Sequence, residues 1–235
     1  MAKNALSFVK NSLILGLHFI VLYFCWVKVP FFAISRHRLG VDGAGVTTLV
    51  CFHGCPLRCK YCINQQCWTS DGVWRTMDEA GLLWETMVDD LYFKATGGGI
   101  CFGGGEPLLH SAFIDSFCHL RPQEWNIYLE TSLHVPLHHL EQVAPWVHHY
   151  YIDVKDMNAD IYHRYTGGDN QQVLENLRWL VRQQKQHLVT IRLPLIKGYN
   201  TESRRDSSQQ QLEEMGFHDI ERFDYIIPKI KTTSL

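Results

Sequence analysis

The pattern that most restricts the fold is an alternation. Between residues 47 and 228, six apolar, β-branched runs recur: "TTLVCF", "GICF", "WNIYLETS", "HHYYIDVKD", "HLVTIRLPLI" and "ERFDYIIP". Short runs of this kind read as buried strands. Helical spacing separates them, at about 76–95, 108–120, 137–144, 173–184 and 207–215. The first of these helices is expected to start from Thr76 as its cap, with Asp78 and Glu79 in the first turn. Its apolar positions are Leu82, Leu83, Met87, Leu91 and Tyr92. Strands alternating with helices predict an α/β fold whose strands are mostly parallel and joined by right-handed crossovers. Six units suit an open, partial barrel or a doubly wound sheet. In either, a site is built from polar residues at the C-terminal ends of the strands.

Composition narrows the function classes. The 235 residues are 46% hydrophobic and 20% charged, enough for one large core. A net charge of -2 carries no footprint for nucleic acid. The 13 histidines are scattered and form no ligand-spaced helical pair. The N-terminus is different in kind. From residue 11 to residue 27, "NSLILGLHFIVLYFCWV" contains no charged side chain. Seventeen residues fall just short of a comfortable bilayer span. Lys3 and Lys10 precede the run, Lys28, Arg36 and Arg38 follow it, and no small-residue cleavage site is present. Three readings stay open: a membrane anchor, a hydrophobic helix packed on the domain, or an extension translated from upstream of the natural start. The chain is accordingly divided into an extension, 1–33, and a catalytic-sized domain, 34–235, in the cytoplasm, with membrane association through residues 11–27 as the alternative.

Five of the eight cysteines lie in "CFHGCPLRCKYCINQQCW", residues 51–68. Disulfides suit small secreted scaffolds and not a large α/β domain. Zinc could take Cys51, Cys55, Cys59 and Cys62, with His53 or Cys67 in reserve, although structural zinc sites usually pair two separated knuckles. The third option is a 4Fe–4S cluster on Cys55, Cys59 and Cys62, which leaves one iron open to a small molecule. Cys51 reads as core. Cys25, Cys67, Cys101 and Cys118 are too dispersed for a second cluster and read as small buried residues.

Taken in order, "DGAGVTTLVCFHGCPLRCKYCIN", "GGICFGGGEPLLH", "YLETS", "YIDVKDMNADIYHRYTG" and "IRLPLIKGYNTE" resemble the radical S-adenosylmethionine (radical SAM) enzymes. Within them the resemblance is to the glycyl-radical-enzyme activating enzymes, over about residues 38–228. It implies a partial (β/α)6 barrel and Cys55, Cys59 and Cys62 as ligands of a 4Fe–4S cluster. It also implies S-adenosylmethionine held by the open iron through its amino and carboxylate groups. One electron then cleaves the sulfonium to a 5′-deoxyadenosyl radical, which abstracts a glycine Cα hydrogen from a partner glycyl radical enzyme. Reduced flavodoxin or ferredoxin would supply the electron, under anaerobic conditions.

The resemblance also assigns residues. Tyr61 is the aromatic before the third cysteine, and Asn64 ends the signature. Gly104, Gly105 and Glu106 match the GGE motif at the methionine end, with Glu106 able to accept from an ammonium. Asp153 and Lys155 match the D-x-K pair over the cofactor, and Arg192 the carboxylate-binding arginine. Glu130 and Thr131 stand where the pyruvate formate-lyase activator has Asp-Thr. Together with Asp153 they mark the place of a monovalent cation, although Glu130 is one methylene longer. Val41, Thr47 and Lys197 depart from the family's usual His, Arg and Pro. The family's later histidine has no evident counterpart, and no second-cluster insertion follows the cysteine loop. Two rivals remain on sequence alone. One is a radical SAM enzyme acting on a small molecule or ribosomal peptide. The other is a non-catalytic zinc or iron–sulfur module.

Overall fold

A computed structural model describes residues 28–225. Residues 11–27, with Cys25, lie outside them, as do the last three positions of the final expected strand. Within the described residues the chain runs β1 (Val29–Leu39), β2 (Val46–Phe52), β3 (Arg75–Met77), α1 (Glu79–Thr86), α2 (Asp90–Thr96) and β4 (Gly99–Gly104). It continues α3 (Ser111–Leu120), β5 (Asn126–Thr131), α4 (Leu137–Val143), β6 (His149–Asp153), α5 (Ala159–Thr166), α6 (Gln171–Arg182), β7 (Val189–Leu195), α7 (Glu202–Glu214) and β8 (Ile220–Asp224).

All strands join one sheet, ordered β3-β1-β2-β4-β5-β6-β7-β8. From β2 to β8 each strand lies beside the preceding parallel strand, and all five pairings are parallel. A doubly wound sheet would reverse direction partway. The unbroken sequential order, left unclosed, makes this a partial barrel of six parallel strands. Two antiparallel strands extend it at the β2 edge, β1 on β2 and β3 on β1. Strand β1 begins at Val29, so the sheet reaches five residues into the segment taken as an extension, and Phe31 is fully buried.

Alternation along the strands separates two layers. Val50, Phe52, Ile100, Phe102, Ile127, Leu129, Ile152 and Ile191 are fully buried in the hydrophobic core. On the helix side Phe102 meets Phe117 of α3 edge to face at 5.6 Å, and Phe93 meets Trp125 at 5.0 Å. The intervening positions, Leu49 and Cys51, Glu130, Asp153, Arg192, Glu221 and Phe223, line a cleft on the other face. This is the expected placement of a site.

The expected helix over 76–95 is corrected in two ways. Thr76 lies in β3, opposite Pro30, and the cap is Asp78, whose carboxylate accepts from Gly81 N–H at 2.8 Å. The helix then breaks at a 3₁₀ turn over residues 87–89. Its buried positions are Glu79, Leu82, Thr86, Asp89 and Phe93, whereas Met87, Leu91 and Tyr92 are exposed. Polar burial is possible there because Asp89 receives Arg36 at 2.5 Å and the Thr48 hydroxyl at 2.9 Å.

Candidate active site

The cysteine loop leaves the end of β2 and is fixed from both sides. Arg58 and Lys60 N–H donate to the carbonyls of Thr166 and Tyr165 at the end of α5, at 2.8 and 3.1 Å. His53 Nε2 lies 2.8 Å from the Thr69 carbonyl oxygen and 3.1 Å from that of Gln66, so it carries the proton and tethers the loop. Cys67 is buried with its Sγ 3.9 Å from the Phe52 carbonyl. Neither lines the cleft walled by Cys55, Cys59 and Cys62. The glycine run after β4 permits close approach. A Cβ on Gly105 would lie 2.0 Å from the Gly54 carbonyl oxygen, and one on Gly104, whose φ is +106°, would lie 2.8 Å from Cys51 Cα. Gly105 and Glu106 N–H donate back to the Phe52 and Gly54 carbonyls. Asn64 Nδ2 adds a bond to the Gly104 carbonyl at 3.0 Å.

A cleft of about 800 Å³ results, and Cys55, Tyr61, Asn64, Gly104, Gly105, Thr131 and Lys155 line it with the strand residues above. Cys59 and Cys62 complete the cysteine arc on its wall. Burial pushes the Cys55 thiol up to about 12, with the Glu106 carboxylate adding to it, and burial raises Cys59 as well. Cationic iron would offset that cost by neutralising the thiolates. Among the described residues, no three His, Cys, Asp or Glu side chains are grouped to hold one metal ion. An unpartnered buried hydroxyl supports the fit of a cluster. Tyr162 lacks any hydrogen-bond partner among the described residues and is near enough to Cys59 to feel its charge. Cluster sulfur is an acceptor for such donors.

Charges inside the cleft are paired. Burial works against the Lys155 ammonium, but Asp153, Tyr225 and Cys59 outweigh it and hold its pKa well above the usual lysine range. Lys155 Nζ donates to Asp153 at 2.9 Å and to the Tyr225 hydroxyl at 3.0 Å. Burial likewise opposes the Arg192 charge, and Glu130 reverses the balance, leaving its pKa raised. Arg192 Nη1 lies 2.6 Å from Glu130, its guanidinium sits 4.6 Å from the Tyr151 ring centroid, and Nη2 reaches the Val41 carbonyl at 3.1 Å. Burial also raises the Glu130 carboxyl, with Arg192 pulling the other way.

Glu130 is committed to Arg192, Asp153 to Lys155, and the Thr131 hydroxyl donates to Glu106 at 2.6 Å. Both carboxylates at the place expected for a monovalent cation are thus paired with the chain's own cations, each through one oxygen. Glu106 is the one expected residue that the structure keeps off the cleft wall. It is fully buried, and its two oxygens accept from Thr131 Oγ, Leu108 N–H, Ser132 N–H and Ser132 Oγ, at 2.6 to 3.2 Å. Four donors fill a carboxylate, so no lone pair is left for a ligand's ammonium. Its part is to fix Thr131 and Ser132, which do line the cleft.

Sequence reasoning missed Arg38, Asp42, Ser132 and Tyr225, all on the cleft wall. Arg38 and Asp42 form a bidentate pair. The glycine-rich turn "DGAG" was the available signal for Asp42, and Tyr225 carried none.

The model described as the Radical SAM superfamily matches residues 49–209 of this chain. The pyruvate formate-lyase 2-activating enzyme of Escherichia coli (strain K12) is 30% identical, over 77% of this chain and 71% of that protein. The indoleacetate decarboxylase activating enzyme of Tractidigestivibacter scatoligenes is 27% identical, over 67% of this chain and 70% of that protein. Among solved structures, Streptococcus suis SuiB bound to S-adenosylmethionine superposes with a TM-score of 0.55 at 12% identity, over 76% of this chain and 38% of SuiB. That last likeness is one of fold.

Proposed function

The chain belongs to the radical SAM superfamily, whose cofactors are a 4Fe–4S cluster and S-adenosylmethionine, and from that membership we propose that it activates a partner enzyme by abstracting a hydrogen atom from a glycine Cα. The observation that carries the reading is the cleft. It gathers the three cysteines, two paired cations and the glycine turn at the C-terminal ends of the parallel strands, in a chain similar to activating enzymes. No helix among the described residues is long and apolar enough to cross a membrane.

When bound, the cofactors supply a one-electron cleavage that yields a hydrogen-abstracting radical. The protein's own work is to bind, orient and exclude water. Cys55, Cys59 and Cys62 hold the cluster. Gly104 and Gly105 offer main chain free of side-chain bulk to the methionine end. Lys155, kept cationic by Asp153, and Arg192, oriented by Glu130 and Tyr151, are the charged donors for carboxylate and hydroxyl groups. Arg38 and Asp42 stand at the outer wall. Val41 and Ile63, 51% and 75% exposed, form apolar lips to the cleft. An open mouth edged by apolar side chains suits a polypeptide loop as substrate.

The test is anaerobic. Protein reconstituted with iron and sulfide, reduced with dithionite and given S-adenosylmethionine together with a candidate glycyl radical enzyme should generate a glycyl radical signal by electron paramagnetic resonance. Cys59→Ala should abolish it. Cofactor cleavage with no radical on any glycyl radical enzyme would refute the proposed substrate.

A further inference from the structure

Helices α1 and α2 turn apolar side chains to water. The 3₁₀ turn between them keeps their course, since Met87, Asp89 and Asp90 all retain right-handed helical backbone. Residues 79–96 thus act as one helix about 27 Å long. Inward it buries Glu79, Leu82, Thr86, Asp89 and Phe93, three of them polar. Outward it presents Trp84, Met87, Val88, Leu91 and Tyr92, which follow one another as i, i+3, i+4, i+7 and i+8 on a single helical stripe. Trp84 is 83% exposed, Leu91 74% and Val88 64%. Lone exposed apolar side chains are ordinary, but five in one stripe mark a contact surface.

The course of the chain points to what covers it. Val29, at the start of β1, pairs with Met77, the last residue of β3. Directly after Met77 comes Asp78, the cap of α1. The polypeptide ahead of Val29 therefore arrives beside the first turn of the helix that carries the stripe. Immediately ahead of Lys28 stands "NSLILGLHFIVLYFCWV", residues 11–27, without a charged side chain. Even at the compact helical rise, these 17 residues reach about 26 Å, which matches the helix they would have to follow. An apolar run and an apolar stripe of equal length thus start from one point on the surface.

We propose that residues 11–27 fold back over α1 and α2 and cover this stripe, running antiparallel from the first turn of α1 towards the end of α2. The sequence leaves three readings of the run open, and this one seats it on the domain at a named surface. The gain is mutual, because each apolar surface removes the other from water. None of Trp84, Val88 and Leu91 lines the cleft, so the cover is separate from the cluster and its chemistry.

Hydroxyl-radical footprinting of the full chain, read by mass spectrometry, tests the cover against an internal control. Trp74 is 48% exposed and lies outside the stripe. With the stripe bare, Trp84 reacts faster than Trp74; with the stripe covered, it should react more slowly. Leu17→Glu/Val21→Glu, which puts charge into the covering run, should restore the faster reaction of Trp84. Trp84 outpacing Trp74 in the wild type overturns the proposal, and so does protection that survives the variant. A second measurement identifies the cover without that variant. Irradiated Val88→p-benzoylphenylalanine protein should cross-link to residues 11–27 of the same chain, and a link to any other segment, or none, overturns the proposal. A link to a second chain assigns the face to a dimer, and flotation of the wild type with phosphatidylcholine–phosphatidylglycerol vesicles assigns the run to a membrane. Either result overturns it, as does an intact mass showing that the chain made in its own cells lacks residues 11–27.

Discussion

Glu106→Gln separates a positioning role from direct ligand contact. In the wild type the carboxylate is fully buried and accepts four hydrogen bonds. The glutamine carbonyl can keep two of the donors, Leu108 N–H at 3.2 Å and the Thr131 hydroxyl at 2.6 Å. The amide nitrogen then faces Ser132. Its hydroxyl can rotate to accept, but its main-chain N–H, 3.0 Å away, cannot. One buried donor is orphaned, at a cost of about 1–3 kcal/mol. With a urea slope of about 2 kcal/mol/M, a loss of about 2 kcal/mol lowers the unfolding midpoint by about 1 M. Equilibrium urea unfolding read by fluorescence measures it, and isothermal titration with S-adenosylmethionine supplies the second reading. Affinity should fall only as far as displaced Thr131 and Ser132 require, within about tenfold. A variant as stable as wild type to about 0.5 kcal/mol, yet with binding lost, would mean that Glu106 touches the ligand itself and that the reasoning is wrong.

Lys155→Met should weaken S-adenosylmethionine binding by about tenfold or more by titration, since it removes a charged donor from the cleft. In the wild type that affinity should stay flat from about pH 7 to 9: the raised Lys155 pKa keeps the ammonium charged, and its contribution is lost only as pH climbs through that raised value. Affinity declining across that range would contradict the assignment. Gly105→Ala should fail to hold iron after reconstitution, because its Cβ would meet the Gly54 carbonyl at 2.0 Å; a normal iron content would refute the close packing of loop on turn. Tyr162→Phe should leave cluster-free protein as stable as wild type or up to about 1 kcal/mol more so, because it deletes an unpartnered buried hydroxyl. In the reconstituted protein it should lower the cluster's reduction potential, and an unchanged potential would place that hydroxyl away from the cluster.

The central parallel strands were legible because nearly all of their positions are buried, which leaves near-continuous apolar runs such as "TTLVCF". Strand β1 was not. Register shifts between Phe31 and Ala33 and between Ser35 and Arg38, with His37 at φ of +56°, erase its alternation. The charge-free run just upstream also drew the boundary too late. The false helix cap has a similar origin. Thr76 is an acceptable cap by residue type, but pairing with Pro30 takes it into the sheet, and Asp78 caps instead. In the site, motif order placed the cysteines, the glycine turn, Asp153, Lys155 and Arg192 on one cleft. What spacing could not show is who neutralises whom. That Arg192 would occupy Glu130, and that Thr131 and Ser132 would supply three of the four donors to Glu106, depends on packing between segments 25 or more residues apart. Tyr225 meets Lys155 across 70 residues and belongs to no motif.

The central claim is hydrogen abstraction from a protein glycine, and isotope transfer tests it most directly. A candidate glycyl radical enzyme labelled with α-dideuterated glycine would be incubated anaerobically with the reduced, reconstituted protein and S-adenosylmethionine. The 5′-deoxyadenosine formed would then be analysed by mass spectrometry. The account predicts that it gains deuterium only when the glycines are labelled and only with Cys59 intact. Product formed at full rate without deuterium would contradict it.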